Sequence, residues 1–288
     1  MTLGIVSPAS PISDVDLDAG LAALAEMGFR TKEMPNARAR NGHLAGTDAQ
    51  RVADLHSAFL DPEVDAVLCS RGGYGAARLL PHLNLDALAA TGKPFLGYSD
   101  ITALHVALNR RGLQTFHAPM VGSFAKPREP WVRESFIAAV HGQNPFAPQA
   151  PRGQGIVHGT AEGILAGGCL SLLADSLGTP EAFDGTGKIV LLEDIGEKPH
   201  RIDAMLTHLL NAGAIQNAAG FVVGEMTSTD NLGDPEDHPW RAILGDRLLP
   251  LEKPTIVGYP FGHIDAMLTL PLGARVRMEA KAGELTLL

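Results

Sequence analysis

Lys93-Pro94-Phe95-Leu96-Gly97-Tyr98-Ser99-Asp100-Ile101-Thr102-Ala103-Leu104-His105 changes its period in the middle. Phe95 to Tyr98 is a short apolar run of the kind that makes a buried strand. From Asp100 onward Ile101, Leu104 and Leu108 recur at helical spacing, and Gly112 supplies a stop. A strand running straight into a helix is the repeating unit of a parallel α/β sheet. Ser99 stands at the corner, and two readings of it are open. Ser and Asp are preferred N-caps, so Ser99-Asp100 is accounted for by capping alone, with Asp100 as a cap of the helix. A strand-to-helix corner is also where a nucleophile is presented, beside a helix N-terminus that favours developing negative charge. Gly97 leaves room for a sharp turn, but Ile101 stands where a Gly-x-Ser-x-Gly elbow has its second glycine.

The same alternation extends outward. Upstream, 3–6 reads as a first strand, and Ser7-Pro8-Ala9-Ser10-Pro11 as a solvated, turn-rich loop. A helix over 18–27 stops at Gly28, and a strand follows over 30–33. Thr47-Asp48-Ala49-Gln50 is a capping box opening a helix to Leu60, with Val52, Leu55 and Phe59 inward. A strand over 64–70 runs into Arg71-Gly72-Gly73-Tyr74-Gly75 and then a helix over 76–80. Downstream come a strand over 114–117 and a helix over 131–140. This predicts an α/β fold: an N-terminal doubly wound, mostly parallel sheet over 1–143, with helices on both faces. The Pro- and Gly-bearing stretch over 144–158 reads as a linker. A second, smaller α/β domain with a mixed sheet is expected over 159–288. Its strands fall at 161–165, 188–192, 221–224 and 255–258, its helices at 170–177 and 201–210. A closing hairpin joins 275–279 to 285–288.

A glycine loop between strand and helix lets backbone N–H groups face a ligand. Gly72 and Gly73 fit neither phosphate motif. An oxyanion or carboxylate cradle fits them, and so does a plain tight turn. Arg71 beside the loop is a candidate for a terminal carboxylate, which guanidinium binds bidentately, and Tyr74 is grouped with it as a substrate contact.

The chain has 288 residues, 45% of them hydrophobic, enough for about two domains. No apolar run approaches the roughly 18 residues of a membrane span. The N-terminus reads as a strand and not as a signal peptide, so a cytoplasmic protein without a membrane partner is expected. A net charge of −9, no Lys/Arg blocks and 5% aromatics argue against nucleic acid. Cys69 and Cys169 suggest neither a disulfide framework nor a zinc site, and no His-Glu-x-x-His pattern occurs. No metal and no cofactor are expected.

A serine nucleophile needs a base, and the base an orienting carboxylate. Of eleven histidines, His56, His82, His105 and His208 fall in or beside helices and read as packing or surface residues. His238 lies in the acidic, solvated stretch Asp234-Pro235-Glu236-Asp237-His238-Pro239. His263 follows a strand and the glycine-flanked loop Gly258-Tyr259-Pro260-Phe261-Gly262, beyond a carboxyl end, where open α/β sheets place their sites. Glu193 also sits at the carboxyl end of a strand, and so does Ser99. Ser99, Glu193 and His263 are thus a candidate triad.

Taken together the motifs resemble the LD-carboxypeptidase family, the S66 serine peptidases, which include murein tetrapeptide carboxypeptidases and microcin C self-immunity hydrolases. The resemblance is carried by Gly4-Ile5-Val6-Ser7-Pro8, Ser70-Arg71-Gly72-Gly73-Tyr74-Gly75, Gly97-Tyr98-Ser99-Asp100-Ile101-Thr102, Gly167-Gly168-Cys169-Leu170-Ser171, Gly178-Thr179-Pro180, Leu192-Glu193-Asp194-Ile195-Gly196-Glu197, Arg201-Ile202-Asp203 and Gly258-Tyr259-Pro260-Phe261-Gly262-His263. It implies Ser99 as nucleophile, Glu193 as acid and His263 as base. It also implies an oxyanion hole from the backbone N–H of Asp100 and of Gly72-Gly73, a site in the cleft between two domains, and a homodimer. The implied reaction is release of C-terminal D-alanine from a murein tetrapeptide. The family often has Asn where Cys169 stands and Gly where Ala118 stands, so substrate contacts at those positions do not carry over. Two other readings compete. Hydrolysis of a microcin C-type peptidyl-nucleotide would share the triad, but an adenine wants an aromatic platform, and the second half offers few candidates beyond Trp240, Tyr259 and Phe261. A non-catalytic small-peptide-binding protein would bind without turnover and would not need Ser99.

Overall fold

Short runs of Val, Leu, Ile and Ala bounded by polar or small residues become strands, and the capped 3.6-residue patterns become helices. The computed structural model describes residues 1–232 and 237–288. Its strands are β1 (Thr2–Val6), β2 (Arg30–Glu33), β3 (Ala66–Cys69), β4 (Phe95–Gly97), β5 (Thr115–His117), β6 (Gln154–Val157), β7 (Thr160–Cys169), β8 (Lys188–Ile195), β9 (Gly220–Thr227), β10 (Thr255–Val257), β11 (Leu270–Leu272), β12 (Arg275–Glu279) and β13 (Glu284–Leu287). Its helices are α1 (Asp14–Glu26), α2 (Asp48–Leu60), α3 (Leu85–Ala90), α4 (Thr102–Asn109), α5 (Pro130–Val140), α6 (Leu170–Asp175), α7 (Pro199–Asn211) and α8 (Trp240–Leu248). The chain divides into two compact units, residues 1–147 with 268–273 and residues 148–267 with 274–288.

In the first unit the sheet runs β11-β5-β4-β3-β1-β2. Strands β1 to β5 are mutually parallel, and β11 lies antiparallel to β5 at the edge. Alternation along each strand sends side chains to opposite faces. Val67 and Cys69 join one buried cluster with Leu55 and Phe59 of α2, Leu85 and Leu88 of α3 and Leu104 and Leu108 of α4. Ala66 and Leu68 join the other, with Leu17 and Leu24 of α1 and Phe136 and Val140 of α5. Helices therefore cover both faces, which makes the sheet doubly wound. The strand order reverses between β1 and β3, and ligands of such sheets bind at the carboxyl ends flanking that switch. The loop after β1 and the glycine loop after β3 both start there. The expected capping box forms: Thr47 Oγ1 accepts from Gln50 N–H and Gln50 Oε1 from Thr47 N–H. The helix expected over 76–80 is a 3-10 helix, Ala77–His82, because Pro81 has no N–H to continue an α-helix.

In the second unit the sheet runs β13-β12-β7-β8-β9-β10-β6. Its centre, β7 to β10, is parallel, and β12, β13 and β6 are antiparallel additions, so the sheet is mixed. Two segments differ from the linear reading. Part of the stretch read as a linker, Gln154–Val157, is β6 and pairs with β10. Gly155 is there for close approach, since a Cβ would lie 2.1 Å from the Ala280 carbonyl oxygen. Leu270–Leu272, read as part of the second domain, is the edge strand β11 of the first sheet. An edge is where Pro271, lacking an N–H, is tolerated.

Candidate active site

Strand β4 delivers the chain to Ser99 in a left-handed backbone, φ 67°. For a residue with a Cβ this costs about 1–3 kcal/mol and is found mainly where function requires it. It also sets aside the capping reading of this corner. An N-cap has extended backbone, whereas Ser99 is the first residue of a 3-10 turn, Ser99–Ile101, that runs into α4, and neither start has a side-chain cap. Asp100 is not a cap either. Its buried carboxylate accepts the Ala76 N–H at 2.7 Å and bonds the Gly75 N–H. Burial raises its pKa above its ordinary value, against these two hydrogen bonds.

The glycine loop lies directly against the serine. A Cβ on Gly72 would come within 2.8 Å of Ser99 Cβ and 3.1 Å of Ser99 Oγ. Gly73 has φ 116°, and a Cβ there would strike Ser10 Oγ at 2.5 Å. Only glycine permits both. Three groups fix the loop. Ser10 N–H donates to the Gly72 carbonyl, and Ser10 Oγ accepts the Tyr74 N–H at 3.1 Å. Buried Arg51 donates from Nη1 to the carbonyls of Gly75 at 2.9 Å and Pro8 at 2.5 Å. Asp100 is the third. The loop over 7–11 is thus not simply solvated: Ser7 is buried, its Oγ donating to the Ala37 carbonyl and lying 2.7 Å from Ser70 Oγ. Arg71 is exposed and donates weakly to the Pro11 carbonyl at 3.4 Å. Tyr74 is 56% exposed, its ring 5.6 Å from that of His43.

In the second unit Glu193 is fully buried, two residues short of the end of β8, where the pairing with β9 is irregular. His263 Nδ1 lies 2.7 Å from Glu193 Oε2. A carboxylate only accepts, so Nδ1 carries the proton and Nε2 is the basic nitrogen. The approach depends on Gly262, with φ 104°, where a Cβ would meet Glu193 Oε2 at 2.8 Å. The His263 carbonyl accepts from Thr227 Oγ1. Burial pushes the imidazole pKa down, but the Glu193 charge and hydrogen bond, with Asp194, outweigh it and hold His263 above its ordinary value. Asp194 Oδ2 accepts the Ser171 N–H at the start of α6; burial first, then the Glu193 charge, push its carboxyl up to about 6.

Three of the other histidines have surroundings of their own. His105 is buried, its Nε2 bonds the Gly97 carbonyl, and burial lowers its pKa to about 3, which keeps it neutral. His56 Nε2 accepts the Asn84 N–H. His238 is exposed, while 233–236 of the acidic stretch around it lie outside the described residues. Cys69 and Cys169 are buried free thiols. Among the described residues no group of three or more His, Cys, Asp or Glu could hold a metal, and no helix is long and apolar enough to cross a membrane.

Known proteins resemble the chain along nearly its whole length. Residues 3–118 match the model of the LD-carboxypeptidase N-terminal domain and residues 162–278 that of the C-terminal domain. A murein tetrapeptide carboxypeptidase of Pseudomonas aeruginosa is 32% identical over 275 residues, 91% of this chain and 87% of the other. The crystal structure of muramoyltetrapeptide carboxypeptidase from Oxalobacter formigenes superposes with a TM-score of 0.85 at 29% identity, covering 99% of this chain and 97% of that one. That of an MccF-like protein from Bacillus anthracis gives 0.86 at 25% identity, covering 100% and 96%. The chain belongs to the LD-carboxypeptidase family and is a serine carboxypeptidase.

Proposed function

We propose that the protein releases the C-terminal D-alanine of a murein tetrapeptide, in the cytoplasm, during recycling of the cell wall, with Ser99, His263 and Glu193 as its triad. The observation that carries the triad is the buried Glu193–His263 hydrogen bond at 2.7 Å, which orients the imidazole and leaves Nε2 basic. In this reading Nε2 takes the Ser99 proton as Oγ attacks the carbonyl of the L,D-peptide bond. Glu193 stabilises the imidazolium that results. The oxyanion is held by the N–H of Asp100 and those of Gly72-Gly73, each such donor being worth about 3–4 kcal/mol in the transition state. The imidazolium then protonates the departing D-alanine amine, and water, deprotonated by the same nitrogen, frees the tripeptide. Arg71 is the proposed contact for the terminal carboxylate, and Tyr74 a further substrate contact. The protein is proposed to act as a homodimer, which sedimentation of the purified chain checks.

The likeness to the MccF-like protein favours a second reading, cleavage of a peptidyl-nucleotide of the microcin C type. The two are separated by kcat/KM on L-Ala-γ-D-Glu-meso-diaminopimelate-D-Ala and on an aspartyl-sulfamoyl-adenosine. A preference for the tetrapeptide of about 100-fold or more is expected, and the opposite preference would overturn the murein assignment.

The pH profile follows from His263. The base must be neutral, and its pKa is raised from 6.5, so the acid limb of kcat/KM is expected above pH 6.5, with activity rising through it. In Glu193→Gln the charge that raises the pKa is gone while burial remains. The limb should move to lower pH, and the plateau should fall by about 10³- to 10⁴-fold because the tautomer is no longer held. A limb that stays in place in the variant would show that His263 is not the titrating base.

A further inference from the structure

The loop beside Ser99 is gripped by two buried ionic side chains that exchange no proton with substrate in the reaction above. Asp100 follows the nucleophile directly, and its carboxylate reaches back 24 residues to the Ala76 N–H at 2.7 Å and bonds the Gly75 N–H as well. Arg51 holds the same stretch by its carbonyl, Nη1 to Gly75 O at 2.9 Å, and ties it to Pro8 O at 2.5 Å. A Cβ on Gly75 would lie 2.9 Å from Arg51 Nη1, so the fit leaves no slack. Gly75 is thus held by its N–H on one side and its carbonyl on the other, by opposite charges. Arg51 is 1% exposed and Asp100 3% exposed. Burying charge is costly, so buried ionic groups are weak evidence for added stability. Asp48, which accepts from both Arg51 and Arg78, completes a charge-balanced set.

We propose that Asp100 and Arg51 are positioning residues for the reaction: together they set the distance between Ser99 and the Gly72-Gly73 amides at which both donors reach the oxyanion. A loop of glycines at φ 116° and 115° has wide freedom of its own, while the oxyanion needs its donors at about 2.7–3.1 Å. One residue serves both sides of that requirement. The Asp100 N–H is one proposed donor, and its side chain holds the loop that supplies the other. The inference rests on the Ser99 reading given above.

The test compares full-length Asp100→Asn, Arg51→Lys and Ser99→Ala with wild type, measuring D-alanine release together with thermal unfolding. Asp100→Asn removes the charge and one acceptor oxygen, and Arg51→Lys gives up the fork nitrogen, Nη2, that bonds Asp48. Each is expected to lower kcat by about 10- to 100-fold with KM within about threefold, because the loss falls on the transition state. A purely structural role would lower the unfolding temperature and leave kcat per folded molecule unchanged, and that result would overturn the proposal. So would a rise in KM alone. Should Asp100→Asn or Arg51→Lys not fold, Asp100→Glu keeps the charge but displaces its oxygens and is expected to lower kcat by about 3- to 10-fold; an unchanged kcat there overturns the proposal. If Ser99→Ala keeps its rate, the serine reading fails and this inference goes with it. If Ser99→Ala is inactive while Asp100→Asn works like wild type, only this inference falls.

Discussion

Replacing Ser99 by glycine is expected to abolish turnover and to make the protein harder to unfold. Removal of the proposed nucleophile should cost about 10⁴-fold or more in kcat, since a serine nucleophile and its base act as a unit. The gain in stability comes from the backbone. At φ 67° a residue with a Cβ stores about 1–3 kcal/mol of strain, which glycine does not. The extra freedom of glycine in the unfolded chain takes back about 0.4–1 kcal/mol. The net expectation is a Ser99→Gly protein more stable than wild type by about 0.5–2 kcal/mol, and more stable than Ser99→Ala, which keeps the strain. Urea unfolding midpoints of the three proteins check the order. Ser99→Ala at or above Ser99→Gly would contradict a strained elbow.

The second large effect is expected at Gly262→Ala. Alanine at φ 104° is strained wherever it sits, and here its methyl would overlap Glu193, with Oε2 at 2.8 Å and the Glu193 Cβ at 2.9 Å. Glu193 is fully buried and cannot swing aside without burying its charge elsewhere. The loop carrying His263 must therefore lift, and the 2.7 Å hydrogen bond breaks. Backbone strain and overlap together should destabilise the protein by about 2–4 kcal/mol. Loss of the oriented tautomer should lower kcat by about 10³-fold or more. Unfolding midpoints and D-alanine release, measured on the same preparation, check both. A variant that loses stability but keeps its rate would show that the hydrogen bond is not needed for turnover.

Much of the fold was legible because its signals are local. The fully apolar run Ala66–Cys69, the Thr47–Gln50 capping box and the period change at Ser99 each report on a few neighbours, and neighbours decide strands and helices. The Glu193–His263 pair was legible because strand ends collect functional groups in such sheets. What was not legible is set by dihedrals and by distant partners. A Ser-Asp pair before a helix reads the same whether it caps or not, and only the φ of Ser99 and the partner of the Asp100 carboxylate separate the cases. The grips of Ser10 and Arg51 on the glycine loop span 64 and 24 residues, beyond any pattern in a window. Leu270-Pro271-Leu272 carries no mark of the sheet it joins, and the glycines near 153–155 read as a linker although they serve close packing. Arg51 had one available signal: a basic residue one turn into a capped helix, on the face carrying Leu55 and Phe59, which is an inward charge in need of a partner.

The central claim is that Ser99 is the nucleophile of an L,D-carboxypeptidase. The most direct measurement is D-alanine released from purified L-Ala-γ-D-Glu-meso-diaminopimelate-D-Ala by wild type and by Ser99→Ala, both shown to be folded. Release by wild type with a loss of about 10⁴-fold or more in the variant is predicted. Equal release by both would contradict the serine mechanism, and release by neither would contradict the substrate.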